Sequence, residues 1–427
     1  MMSTDVNSTA EMALAEMSKA GFDEAQVSVS VSEQDELNIN HNEPSLLRST
    51  EDYAISLTGI VDGRKAAMAL TDISPHAIES GIAELIERAR IAPRDDANAV
   101  SENQVGHFEQ GPLAADLDLL ALKVEELLHF RSRETPKMQL EEGAASHRIS
   151  RECVMTSGGS KLGCTVGAYS LSVMGTAIDG DASSSFNYTG GTANDLSQAH
   201  ASELFAIGEM MRDTEQQIHT RSIPAKFVGD VILAPTAVRD LLGWLLGQLQ
   251  DFSLIADNSL YKDRVGEQIA SDKLTIRSHF DAPGHAPYTG DAFLAPALTL
   301  LDAGRLTCLV PSYYASRKTG LPHTPASSGW QIEPGPTERS AMISDIKQGA
   351  LVNRLSMGSP AANGDFSGVI KNSFYIEGGN LSGALSETMI AGNMANMLGD
   401  IVAVSKEHLD QGGTDFPWIS VSGLNFS

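Results

Sequence analysis

Residues 27–32 read Val-Ser-Val-Ser-Val-Ser, and this short alternation restricts the fold more than any other stretch of the chain. A period of two places three valines on one face and three serines on the other, the pattern of a strand with a single buried side. Leu37 and Ile39, then Tyr53, Ile55 and Leu57, continue in that period. Asp62-Gly63 follows as a two-residue hairpin turn, and Ala66, Met68 and Leu70 carry the return strand. Ahead of the strands, Ala13, Met17 and Ala20 recur at helical spacing with Gly21 as a C-cap. Behind them, Ser74-Pro75 opens a helix whose apolar stripe is Ile78, Ile82, Leu85, Ile86 and Ala89. The first 96 residues thus predict an antiparallel sheet with packed helices.

Residues 97–113 are polar with glycine and proline, and read as a linker. A helix marked by Leu117, Leu120, Val124, Leu127 and Leu128 comes next, followed by strands over 139–156, 162–177 and 183–188 and a long helix over 194–220. Ile223-Pro224 marks a boundary. Beyond it lie a strand over 227–233 and a helix from Pro235 with the stripe Val238, Leu241, Leu242, Leu245, Leu246 and Leu249. Residues 298–310 enclose an Asp302-Ala303-Gly304 turn, and 321–336 form an irregular Pro-, Gly- and Ser-rich loop. In 366–393, Val369, Phe374 and Ile376 mark a strand that reverses at Gly378-Gly379-Asn380, and an amphipathic run over 394–404 closes the domain. The fold class is α+β: an N-terminal α/β domain (1–96), a central α/β domain (113–222), and a β-rich C-terminal domain (223–427) of antiparallel strands with a few helices.

Charge narrows the function. With 55 acids against 30 bases, net −25, the chain would repel a phosphate backbone, so nucleic acid is not an expected partner. The N-terminal residues carry acids where a signal peptide needs bases, and no apolar run reaches membrane-spanning length, which together predict a cytoplasmic protein with no membrane contact. Cys153, Cys164 and Cys308 are widely spaced, with no C-x-x-C pair, so neither a disulfide framework nor a zinc knuckle is indicated.

Several residues invite a chemical reading. Gly158-Gly159-Ser160-Lys161 lacks the spacing of a phosphate loop. His279, Asp281, His285 and Asp291 share one loop and are the candidate metal cluster, though their spacing matches no ligand pattern. There is no G-x-S-x-G elbow for a serine hydrolase. Asp95-Asp96 and Glu141-Glu142 sit near element ends, where solvent or a helix terminus accounts for them. Tyr313, Tyr314 and Arg317 are the candidate peptide-binding residues, since an aromatic pair beside a guanidinium can stack on and hydrogen-bond a peptide; tyrosines packed at a strand end are the other reading.

The order of motifs supplies a resemblance. Ile376-Glu377-Gly378-Gly379, followed by Glu387-Thr388-Met389-Ile390-Ala391-Gly392-Asn393, resembles the C-terminal signature of the TldD/PmbA family. Asp62-Gly63-Arg64-Lys65, Thr71-Asp72-Ile73-Ser74 and the helix up to Asp96 resemble that family's first domain, and Pro311 through Gly320 resembles its S-Y-x-A-R-K-x-G segment. The family is one of zinc-dependent peptidases and their partner subunits, also named modulators of DNA gyrase. In its TldD-like branch, the helix corresponding to the one from Pro235 carries H-E-x-x-x-H, and a cysteine near the C-terminus adds a further ligand. Here there is no histidine between His219 and His279, and Cys308 is the last cysteine. The resemblance is therefore to the PmbA-like (TldE) branch. It implies no catalytic or metal-binding residue and no cofactor in this chain, zinc in a TldD-like metallopeptidase partner, and unfolded peptides as substrates. Two alternatives remain: a homodimeric, non-enzymatic peptide-binding protein, and an independent hydrolase built on the loop around His279 and His285.

Overall fold

A computed structural model describes residues 5–326 and 329–427. The first four residues of the acidic N-terminus and residues 327–328 of the loop over 321–336 lie outside the described residues. Helix α1 (Val6–Ala20) is capped by the Asp5 carboxylate at one end and by Gly21, at φ 94°, at the other, and it buries Ala10, Ala13 and Met17. Strands β1 (Glu24–Asn40), β2 (Glu43–Val61) and β3 (Arg64–Leu70) form the expected meander. Val27, Val29 and Val31 all face the core, and Asp62 and Gly63 make the turn with positive φ at both positions. In α2 (Pro75–Ile91), Ser74 accepts a hydrogen bond from the Ala77 amide and the isoleucine-leucine stripe is buried.

The stretch read as a linker contains a strand, β4 (Val105–Gln110), paired in parallel with a later strand from Val105↔Lys161 to Gln110↔Val166. Its pairing partner lies more than fifty residues downstream, so nothing local announces it. Helix α3 (Leu117–Glu134) is followed by the long hairpin of β5 (Met138–Thr156) and β6 (Lys161–Asp179). The next strand divides into β7 (Ala182–Ser183) and β8 (Asn187–Ala193). The helix expected over 194–220 is confined to α4 (Ile207–Gln216), preceded by a single 3-10 turn. Phe205 and Ala206 take φ 52° and 56°, and upstream the Asp195 carboxylate accepts from the Ser197 amide, a local turn that competes with helix. The strand order is β3-β2-β1-β5-β6-β4, with β7 and β8 on β6. Since β1 pairs with β5 from Gln26↔Thr156 to Asn40↔Glu142, the first two sequence segments share one sheet.

The remaining residues build a thirteen-stranded sheet. After β9 (Phe227–Leu233), Pro235 occupies the first turn of α5 (Pro235–Leu249), where a proline costs no hydrogen bond. Short elements follow: α6 (Asp251–Ile255), β10 (Ile276–Ser278), β11 (Thr299–Asp302), β12 (Arg305–Leu306), α7 (Tyr313–Thr319), β13 (Trp330–Ile332) and α8 (Arg339–Asp345). Then come β14 (Gln348–Val352), β15 (Arg354–Met357), β16 (Asp365–Lys371), β17 (Phe374–Glu377), β18 (Asn380–Ala384) and β19 (Thr388–Asn393). Asn372, at φ 52°, splits the strand expected from Val369 to Ile376. The glycine turn therefore joins β17 to β18, while β16 pairs with β15 and β19. The run over 394–404 is helical only as α9 (Met394–Gly399); β20 (Ile401–Asp410) and β21 (Thr414–Phe426) follow. Two pairs in this sheet, β9–β14 and β13–β21, are parallel. Its core packs the stripe of α5 against Val231, Leu233, Tyr375 and Phe416. No helix among the described residues is long and apolar enough to cross a membrane.

Candidate functional site

Helix α5 borders two hollows of the molecule. Its leucines and Trp244 point into the core, while Arg239, Asp240, Gly243 and Gly247 lie on the opposite side. Added methyl groups at Gly243 and Gly247 would meet open space. A cavity of about 1020 Å³ opens at the helix start, between Asn38–Asn40, Ser172–Met174 and Tyr188–Gly190 of the first sheet, the neighbouring Phe186, Thr236 and Asp240 of α5, and Arg354 of the second sheet. A second cleft, about 900 Å³, runs along the helix past Asp251, Tyr288 and Ser312. Arg239 borders both.

The cavity wall has a definite chemistry. Arg354 stacks on Tyr188, its guanidinium carbon 4.6 Å from the ring centroid, and donates to the Phe186 carbonyl at 2.9 Å. Arg239 donates to Gln411 Oε1 at 3.1 Å and Thr414 Oγ1 at 3.0 Å, and Gln411 reaches the Gly190 carbonyl at 2.8 Å. Asp240 has no hydrogen bond or ion pair among the described residues; burial pushes its carboxyl up to about 6, against the pull of Arg239 and Arg354. Such a wall can hold a polypeptide through a ring face, fixed donors and one carboxyl able to exchange a proton near neutral pH. The histidines singled out by the sequence do not line this cavity.

The structure does bring Tyr313, Tyr314 and Arg317 together on α7, where Tyr314 and Arg317 face residues 95–97. Tyr314 donates to Asp95 Oδ2 at 2.8 Å, Lys318 ion-pairs with the same oxygen at 2.8 Å, and Arg317 donates to the Ala97 and Asp96 carbonyls, each at 3.1 Å. The Lys318 bond, the Ala97 amide and the Tyr314 hydroxyl hold the Asp95 carboxyl far down, at about 2. The polar ends of Tyr314 and Arg317 thus fasten the C-terminal part of the chain to the first. Tyr313, half-buried at the start of a helix, packs its ring on Phe293 at 4.8 Å and His323 at 5.4 Å.

The loop cluster is dispersed. His279 Nε2 stands 3.8 Å from Asp281, His285 Nδ1 meets the Pro283 carbonyl at 3.1 Å, and Asp291 accepts from the Tyr313 amide at 3.4 Å. Gly158 through Lys161 form the β5–β6 turn, with Lys161 paired to Glu11 at 2.7 Å. Burial pushes the Cys153 and Cys164 thiols up to about 11, which leaves them unreactive.

Zinc can be tested against the donors present. Helix α5 reads PTAVRDLLGWLLGQL and holds no histidine, with Asp240 as its one carboxylate. Among the described residues no three histidine, cysteine or acidic side chains converge. This donor set does not fit a two-histidine zinc centre.

Sequence reading missed the cavity residues Arg239, Asp240 and Arg354. The one local signal was Asp240, a lone acid inside a leucine-rich helix.

Residues 227–427 match the family described as the PmbA/TldA metallopeptidase C-terminal domain. The chain is 24% identical to a metalloprotease PmbA of Escherichia coli O157:H7, covering 96% of this chain and 94% of that one. It is 23% identical to a PmbA homologue of Haemophilus influenzae, over 84% and 82% of the two chains. In fold it is similar to the crystal structure of TldE from Thermococcus kodakarensis, with a TM-score of 0.82, 20% identity and coverage of 98% and 100%. It is likewise similar to a Bacteroides thetaiotaomicron protein classed as a candidate modulator of DNA gyrase, with a TM-score of 0.86, 20% identity and both chains fully covered.

Proposed function

Because this chain belongs to the PmbA/TldE family of metallopeptidases, we propose that it is the supporting subunit of a TldD/TldE-type complex that cleaves or matures unfolded peptides in the cytoplasm. The observation that carries this reading is the composition of α5. At the helix where the TldD-like branch has H-E-x-x-x-H, this chain offers leucines, a tryptophan and two glycines facing open space. Zinc and the water it activates would then belong to a TldD-like partner, and this chain would contribute peptide-holding walls. The cavity lined by Tyr188, Arg239, Asp240 and Arg354 suits that task, and Tyr313 packs on His323, a ring that lines the second cleft. The net charge of −25 favours a connection with gyrase through a processed protein over one through DNA, because an acidic surface disfavours DNA.

Elemental mass spectrometry on the purified chain, alone and with a TldD-like protein of the same genome, tests this. The expected outcome is no bound zinc alone and about one zinc per heterodimer. Near-stoichiometric zinc in the isolated chain would overturn it and favour the independent hydrolase around His279 and His285, which are half-buried and do not converge on a common point in this conformation. A peptide-binding homodimer that ignores the TldD-like protein would instead establish the non-enzymatic reading.

A further inference from the structure

Strand β2 is paired on both sides for only part of its length. Its contact with β3 runs from Val61↔Arg64 to Ile55↔Leu70 and stops. Its contact with β1 continues without a bulge from Glu24↔Ile60 to Leu37↔Leu47. Residues 47–52, Leu-Arg-Ser-Thr-Glu-Asp, therefore carry a regular free backbone edge of about 20 Å. Every residue from Glu43 to Asp52 is exposed, with Leu46 and Leu47 at 50% and 57%.

Natural sheets blunt such edges with lysine, proline or a bulge, because unpaired amides and carbonyls are a template for another strand. Pro44 and the register shift at Ser45–Leu46 close one end of this edge, but no lysine, proline or bulge interrupts 47–52. We propose that the β2 edge from Leu47 to Asp52 accepts an extended, cationic polypeptide segment as an added strand.

Charge selects that occupant. Glu43, Asp35, Glu51 and Asp52 have no cation within ion-pair distance among the described residues, while the one local base, Arg48, is taken up by Glu36 at 3.0 Å. A second copy of the chain is a poor occupant: antiparallel self-pairing about Arg48 and Ser49 sets Leu46 against Glu51 and Ser45 against Asp52, and brings two acidic edges together. A segment with lysine or arginine on alternate residues and apolar groups between them meets both the carboxylates and the leucines. Ser45 and Leu46 also stand at the mouth of the large cavity, so a strand added there points its continuation toward Arg354 and Tyr188. The assignment rests on the edge alone and does not require that the bound segment be cleaved.

The probes are a labelled dodecapeptide alternating lysine and valine, the same peptide with glutamate for lysine, and the lysine peptide N-methylated on alternate residues. The expected result is binding of the lysine peptide by the full chain, at least about tenfold tighter than either control, with amide exchange slowed across residues 47–52. Glu51→Lys combined with Asp52→Lys, both at exposed positions, should weaken binding about tenfold with the melting temperature unchanged. Equal binding of the N-methylated peptide would reduce the interaction to surface electrostatics and overturn strand addition. Protection that appears elsewhere, or that develops at 47–52 with protein concentration alone, would overturn it as well, the latter in favour of a second copy.

Discussion

Two carboxylates show how position decides what an acid contributes. Asp213 on α4 is driven up to about 7, chiefly by burial and then by Glu209, against its hydrogen bond from Asn353 at 3.1 Å and the nearby Arg339. A folded-state value above the unfolded one means that folding takes up a proton between about pH 4 and 7, so this group's contribution favours the fold less as pH rises through that window. Asp213→Asn keeps an acceptor for Asn353 and removes the buried charge; it should raise stability at pH 8 by about 1–3 kcal/mol and leave pH 4 nearly unchanged, as read from urea unfolding at both values. Asp95 works in the opposite sense. Its depressed value contributes stability above about pH 4 that is lost as pH falls toward 2. Tyr314→Phe removes one of its three hydrogen bonds and should cost about 0.5–1.5 kcal/mol at neutral pH by the same measurement.

At the scale of elements, α5 and β14 make contrasting predictions about glycine. Gly243 and Gly247 face open space on a helix, so replacing either by alanine should stabilise the chain by about 0.5–1 kcal/mol in thermal unfolding. Gly349 sits where β14 runs parallel to β9, and a methyl group there would lie 1.9 Å from the Asp230 carbonyl oxygen. Gly349→Ala should therefore destabilise by more than about 2 kcal/mol. Elements with a purely local signature were legible in the sequence: the valine-serine alternation of β1, the Asp62-Gly63 turn, and the Ser74-Pro75 start of α2. Those fixed from a distance were not. β4 depends on the edge of β6, the end of α9 depends on the pairing of β20 with β21, and the break before α4 lies in two residues with positive φ that carry no glycine. The cavity was illegible for the same reason, since its walls come from stretches near residues 40, 173, 188, 240 and 354 that no spacing rule connects.

Taken whole, the molecule is two sheets fastened at points of differing chemistry. Asp95 meets Tyr314 and Lys318, Glu209 ion-pairs with Arg339 at 2.7 Å, Gln411 bonds to β8, and Cys164 and Tyr288 approach to 3.1 Å. Of these, Gln411 also lines the cavity, so the shape of the cavity depends on that bond. Within the second sheet, β21 pairs with β9, β13, β19 and β20. A chain stopped after Gly413 leaves those strands with open edges and should sediment as aggregate where the full chain stays in the supernatant. During translation the same arrangement imposes a delay. β9 emerges from the ribosome long before β21 exists to pair with it, and the nascent chain must keep its apolar strands apart until the final segment arrives, which makes this half of the protein a natural client for holding chaperones.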